Sequence, residues 1–214
     1  MPKRYWGVII TYILFYLSIY VFEPVFINLF NLTTEAANAY GRILGYFLAF
    51  IVILILMKPD IERGSSNAYP PRKIILWCIY GVLIYFLVQA IYGLIAIVVF
   101  NMDLNSEHSE MIKTKFISFP FIIVNIAIFG PVLEEILTKK IILDTLRKRT
   151  NVYIACLTTA LVFALLHMEL ASVIPYTLAG LVYAFLYVRT NRLIVPIVVH
   201  MTINTLAIVM KIIQ

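Results

Sequence analysis

The sequence predicts an all-α, polytopic integral membrane bundle of about seven transmembrane helices, and three observations carry that expectation. Hydrophobic residues fill 63% of the 214 positions and charged residues only 13%, too little polar surface to cover a water-soluble core of this size. The apolar residues fall in long runs, and a backbone crossing lipid must satisfy its own N–H and C=O groups, which it does as helix. If the runs are crossings, all but four of the 17 Lys and Arg residues collect on one side.

The first run, 5–30, follows the basic head Met1-Pro2-Lys3-Arg4, in the manner of a signal peptide. It is too long for one and no small-residue cleavage site follows, so it is expected to remain as the first span. Runs 40–57 and 74–100 supply the second and third spans, joined by a turn over 63–71. An acidic-then-basic loop, 101–115, leads to the fourth run, 116–137. The last three runs are 152–167, 173–188 and 193–213, with Pro175 and Pro196 placed where helices begin or kink. At 16 residues each, the fifth and sixth runs barely cross a hydrocarbon core about 30 Å thick.

Only Arg42, Lys113, Lys115 and Lys211 fall opposite the N-terminus, which places that terminus in the cytoplasm and, after seven crossings, the C-terminus outside. The same asymmetry accounts for the net charge of +6, so the expected partner is the lipid bilayer and not nucleic acid. Cys78 and Cys156 both lie inside apolar runs and read as small buried side chains, not a disulfide. An Ile-, Lys- and Asn-rich composition points to an AT-rich prokaryotic genome, hence a prokaryotic plasma membrane. With no internal repeat, the expectation is one membrane domain over 1–214, and nothing in the chain reports its oligomeric state.

A charged side chain at mid-membrane costs at least about 2.5–3.5 kcal/mol, so each polar residue inside a run needs a reason. Gln89 and Asn125 read as interhelical hydrogen-bonding groups, Glu23 as an outer-end acid reached by water, and Glu169 as part of an outer turn. The remainder concentrate in 134–204: Glu134-Glu135, His167, and His200 with Asn204. Phe163 and His167 are four apart, as are His200 and Asn204, so each pair shares a helix face. Glu134 and Glu135 project about 100° apart, leaving one to face a cavity while Glu135 pairs with Lys139. With a turn near Thr150-Asn151, Glu134 and His167 both stand about 24 Å from it, and His200 stands about 14 Å beyond a turn at Asn191. These levels agree if a basic arm from Lys139 to Arg149 reaches about 10 Å out of the membrane. Singly, the same residues read as helix-end acids beside that arm, an interfacial histidine, and interhelical contacts; jointly they favour one site.

A carboxylate and an imidazole facing one water make a general base, and a second imidazole with an amide can hold a developing oxyanion. No serine or cysteine has a base partner, Ser172 and Cys156 included, so a covalent intermediate is disfavoured. Glu134, His167 and His200 are the alternative zinc ligands, but the His-Glu-x-x-His helix is absent. Direct activation of water without a cofactor is favoured over zinc.

The segments Glu134-Glu135-Ile136-Leu137-Thr138-Lys139, Phe163-Ala164-Leu165-Leu166-His167 and His200-Met201-Thr202-Ile203-Asn204 resemble, in order, three motifs of one family. That family is the CaaX prenyl protease and bacteriocin-processing group of intramembrane endopeptidases, with patterns Glu-Glu-x-x-x-Arg, Phe-x-x-x-His and His-x-x-x-Asn. The resemblance implies that Glu134 activates water with help from His167, that His200 and Asn204 bind the oxyanion, and that Glu135, Lys139 and Phe163 support them. It implies as substrate a membrane-associated peptide or protein tail, with or without an attached lipid. Lys139 departs from the pattern, keeping the charge of arginine and losing its planar two-toothed grip. That departure keeps open a catalytically impaired member acting as a binding or immunity protein. A proton-relay carrier is disfavoured, because no broken helices or paired halves are evident.

Overall fold

The computed structural model describes residues 1–63, 70–101 and 118–213, apart from the side chains of 62 and 63. The expected turn over 63–71, the loop over 101–115 and the start of the fourth run at 116 therefore lie largely outside the described residues. Seven helices make a membrane bundle: α1 (Lys3–Phe30), α2 (Thr34–Arg63), α3 (Pro71–Val98), α4 (122–146), α5 (Val152–Leu166), α6 (Val173–Thr190) and α7 (Ile194–Ile213), with no strand among the described residues. Local chemistry sets their ends. Asn31 and Asn191 turn the chain at φ 51°, a left-handed conformation that asparagine tolerates better than most residues. Asn151 caps α5 by accepting the Ile154 N–H at 2.9 Å. Pro71 opens α3, and Pro175 and Pro196 lie in the first turns of α6 and α7, where a missing N–H is harmless. Arg4 grips Asp60 through two hydrogen bonds, Nε at 2.7 Å and Nη2 at 2.9 Å, locking the start of α1 to the end of α2.

Four of these helices, α1, α2, α3 and α7, are long and apolar enough to cross a membrane, as is α6 with its 3₁₀ lead-in from Leu170. α5, with 15 residues, is shorter, and α4 is not regular. The sequence predicts an α-helical span over 116–137 followed by an exposed basic arm; the structure differs. Its helical course runs on to 146 and changes to π geometry over Asn125–Phe129 and Ile136–Leu143. Such wide turns are frequent at functional sites. Lys139, expected on the arm, is fully buried instead, because the buried Glu135 carboxylate lies 3.3 Å from its ammonium. Lys140 and Arg147 remain at the edge beside Asp144, at 3.3 and 3.7 Å.

α1 pairs with α2, α5 with α6, and α3 and α7 lie against α6; α4 threads between the two groups and touches α1, α2, α5, α6 and α7. One apolar cluster joins Val8, Tyr12, Phe15 and Ile53 to Leu133 and Ile141 of α4, and a second joins Phe163, Tyr183 and Leu186 to Val195 and Val199. The carboxylates of α4 are thus carried to the bundle centre. The α5–α6 seam is tight: a Cβ on Gly180 would lie 3.0 Å from Ala160 Cα and 3.2 Å from its carbonyl oxygen. Gly180→Ala is expected to lose about 1–3 kcal/mol by overpacking, read as a thermal midpoint in detergent lower by roughly 3–10 °C. Gly7→Ala should change much less, since its new methyl meets only the flexible end of Leu56.

Candidate active site

Glu134 and Glu135 stand where the short α-helical turn Gly130–Glu135 gives way to the second π segment. The two carboxylates take different surroundings. Glu135 is fully buried, with Oε2 3.3 Å from Lys139 Nζ and Oε1 3.1 Å from His200 Nδ1. Glu134 looks the other way, and its Oε2 lies 4.0 Å from His167 Nε2 and 3.9 Å from His200 Nε2. That oxygen is buried and has no hydrogen-bond partner among the described residues. A buried acceptor left unmet needs a water or a ligand. With contacts of about 2.8 Å, one water can touch Glu134 Oε2 and each imidazole nitrogen at an angle near 90°.

The partners of the other ring nitrogens set the protonation pattern. His167 Nδ1 lies 2.8 Å from the Phe163 carbonyl, an acceptor only, so Nδ1 carries the proton and Nε2 offers its lone pair toward Glu134. His200 Nδ1 likewise donates to the Glu135 carboxylate. A proton on Nε2 as well makes His200 a cation whose charge Glu135 offsets. His167 is the residue at which α5 ends, and Met168 follows at φ 54°, turning the backbone sharply away from the imidazole.

Aromatic side chains mount the rings. Tyr176 stacks on His167, with centroids 3.9 Å apart and planes 22° apart, and Tyr183 stacks on His200 at 4.7 Å and 20°. Phe163 lies against both imidazoles at 4.8 and 5.5 Å and takes the Lys139 ammonium over its face at 4.6 Å. The Phe-x-x-x-His spacing therefore gives the buried cation an aromatic face as well as positioning the histidine. Tyr176 and Tyr183 belong to none of the quoted motifs. Their seven-residue spacing, two turns of one helix, is the signal that could have found them.

The structure thus brings together Glu134, Glu135, Lys139, Phe163, His167 and His200. Asn204 stands one turn beyond His200, and its Nδ2 donates to the Ile126 carbonyl in the first π segment at 2.8 Å, leaving one amide hydrogen uncommitted. Gln89 donates to the Pro175 carbonyl at 2.9 Å, as expected of an interhelical group. Asn125 is buried with no donor to its Oδ1 among the described residues. Cys78 and Cys156 are free thiols. A cavity of ≈ 370 Å³ reaches Glu134 and His167, walled by Tyr16 and Ile19 of α1, Arg42 and Tyr46 of α2, and Met168.

A tetrahedral zinc ion with bonds of 2.0–2.1 Å needs ligand atoms about 3.3 Å apart. The separations of 3.9 and 4.0 Å from Glu134 Oε2 are wider, and among the described residues no three His, Cys, Asp or Glu side chains close to metal-binding spacing. As they stand, the side chains fit a water better than that ion.

Residues 116–206, which contain all three motifs, match the model of the family described as type II CAAX prenyl endopeptidase Rce1-like. Over 99% of its length the chain is 30% identical to the Bacillus subtilis protein named "Putative membrane peptidase YdiL", covering 90% of that relative. It is 23% identical to the Staphylococcus aureus protein named "Membrane-embedded CAAX protease MroQ", covering 99% of this chain and 91% of that one. No solved structure gives a significant match. The chain therefore belongs to the Rce1-like family of CAAX-type membrane endopeptidases.

Proposed function

We propose that the protein hydrolyses a peptide bond in a membrane-associated peptide or protein tail, with water as the nucleophile and no covalent enzyme intermediate. The observation that carries the reading is the unpartnered Oε2 of Glu134, buried and facing two imidazole Nε2 atoms at 3.9 and 4.0 Å. Glu134 takes a proton from the water while His167 Nε2 accepts the other water hydrogen and holds it in line. The water oxygen bonds to the scissile carbonyl carbon. The oxyanion that develops accepts hydrogen bonds from His200 Nε2–H and from the uncommitted amide hydrogen of Asn204. As the C–N bond breaks, the proton on Glu134 passes to the leaving amine, returning the carboxylate to its starting state. Glu135 accepts from His200 Nδ1, so donation from Nε2 uses the doubly protonated ring, whose charge Glu135 offsets; Lys139 holds Glu135 at 3.3 Å, so lysine preserves the ion pair at the arginine position of the family pattern.

The N-terminus is read as cytoplasmic in a prokaryotic plasma membrane, which puts the cavity, beside Arg42, toward the outer face. Purified protein in lipid nanodiscs, given a lipidated model peptide in ¹⁸O-water, is expected to place one ¹⁸O in each new carboxylate. His167→Ala and His200→Ala should each slow turnover by about 10²–10⁴-fold. A strong chelator should leave turnover unchanged; loss that only zinc restores would bring in the metal. Equal cleavage by both variants and the parent would end the reading.

A further inference from the structure

Among the described residues Arg42 is the only lysine or arginine in the wall of the Glu134 cavity, and the proposed chemistry gives it no task. It stands two turns into α2, and its Nε donates to Asn38 Oδ1 at 2.8 Å. Asn38 Nδ2 in turn donates to Glu23 Oε2 of α1, also at 2.8 Å. The chain Glu23–Asn38–Arg42 occupies the Nε edge and fixes the guanidinium relative to both helices. Among the described residues neither Nη group has a hydrogen-bond partner, and no carboxylate lies within ion-pair distance of Arg42. A clamped arginine with its fork open therefore borders the same ≈ 370 Å³ space as the reacting carboxylate. Tyr16 and Tyr20 of α1 and Tyr46 of α2 line the same space, and no second lysine or arginine does among the described residues.

The geometry points to Arg42 as a specificity-determining residue that receives a carboxylate of the substrate, while the scissile bond lies at Glu134. This inference rests on the peptidase reading of the cavity. The planar fork of arginine matches a carboxylate with two parallel N–H···O bonds, a match that a lone ammonium lacks. A negative charge at that end also keeps the substrate's own anion away from Glu134, whose carboxylate would repel it. The carboxylate can be the substrate's C-terminus or the side chain of an acidic residue.

The test separates these sources and does not require turnover. Three lipidated, fluorescent model peptides of equal length are titrated against Glu134→Gln protein in nanodiscs of neutral lipid. One ends in a free carboxylate, one in a carboxamide, and one in a carboxamide preceded by glutamate. The free-carboxylate peptide is expected to bind about 10–100-fold tighter than the plain carboxamide, the range for hydrogen bonds to a charged group. Adding Arg42→Ala should remove that preference, and Arg42→Lys should restore only part of it. A glutamate peptide that binds as tightly as the free-carboxylate one assigns the site to any carboxylate; one that binds like the plain carboxamide assigns it to the chain terminus. Equal binding of all three peptides, or a preference that survives Arg42→Ala, overturns the inference and leaves Arg42 as an interfacial cation. Selective binding without cleavage by the parent protein sinks the peptidase reading alone.

Discussion

Glu134→Gln is expected to reduce turnover of a membrane-bound peptide by about 10³-fold or more, with little change in the thermal unfolding midpoint. The large kinetic effect follows from losing both the base and the later proton donor in one step, because an amide neither takes a proton from water nor returns one to the amine. The small structural effect follows from the setting. Glu134 Oε2 accepts no hydrogen bond among the described residues, and glutamine has nearly the same shape. Single-turnover cleavage paired with a thermal scan in the same detergent checks both halves. A variant that cleaves at more than about a tenth of the parent rate would remove Glu134 from the chemistry.

The second large effect concerns stability. Lys139→Met alone, or Glu135→Gln alone, should destabilise the bundle by about 3–5 kcal/mol, since each leaves a fully buried charge without its partner. The expected midpoint falls by roughly 10 °C or more. Combining the two should recover part of the lost stability, because both charges of the Glu135–Lys139 pair are then gone. Activity should not recover with it: His200 Nδ1 would lose the carboxylate that offsets its positive charge at 3.1 Å. Cleavage restored in the double variant would show that the pair serves folding only.

Much of the fold was legible because lipid leaves few options. The apolar runs located all seven helices, and the asparagine turns at 151 and 191 fell where the spacing required them. The helix ends were less legible: α2 begins at Thr34, six residues before its apolar run, because a polar first turn with Glu35 suits a helix start in the headgroup region. The convergence of Glu134, His167 and His200 could be anticipated from helical rise, yet that arithmetic assumed α geometry through 136–143. The π course could not be read, since no residue type there demands it. Neither could the depth of Lys139, whose burial depends on a carboxylate and two rings, one of them on α6. Arg42 was counted only for its charge, because nothing in the sequence ties α2 to the cavity. Tyr176 and Tyr183 went unread because aromatic residues are plentiful throughout the chain, with 14 Tyr and 14 Phe.

Those two tyrosines make α6 a common axle for rings borne by its neighbours α5 and α7. Any roll of that axle tilts both imidazoles at once, so disturbances on its far side should reach them in concert. Ring signals of His167 and His200 followed by magnetic resonance would then drift together across a series of α6 variants, although no bond connects the two.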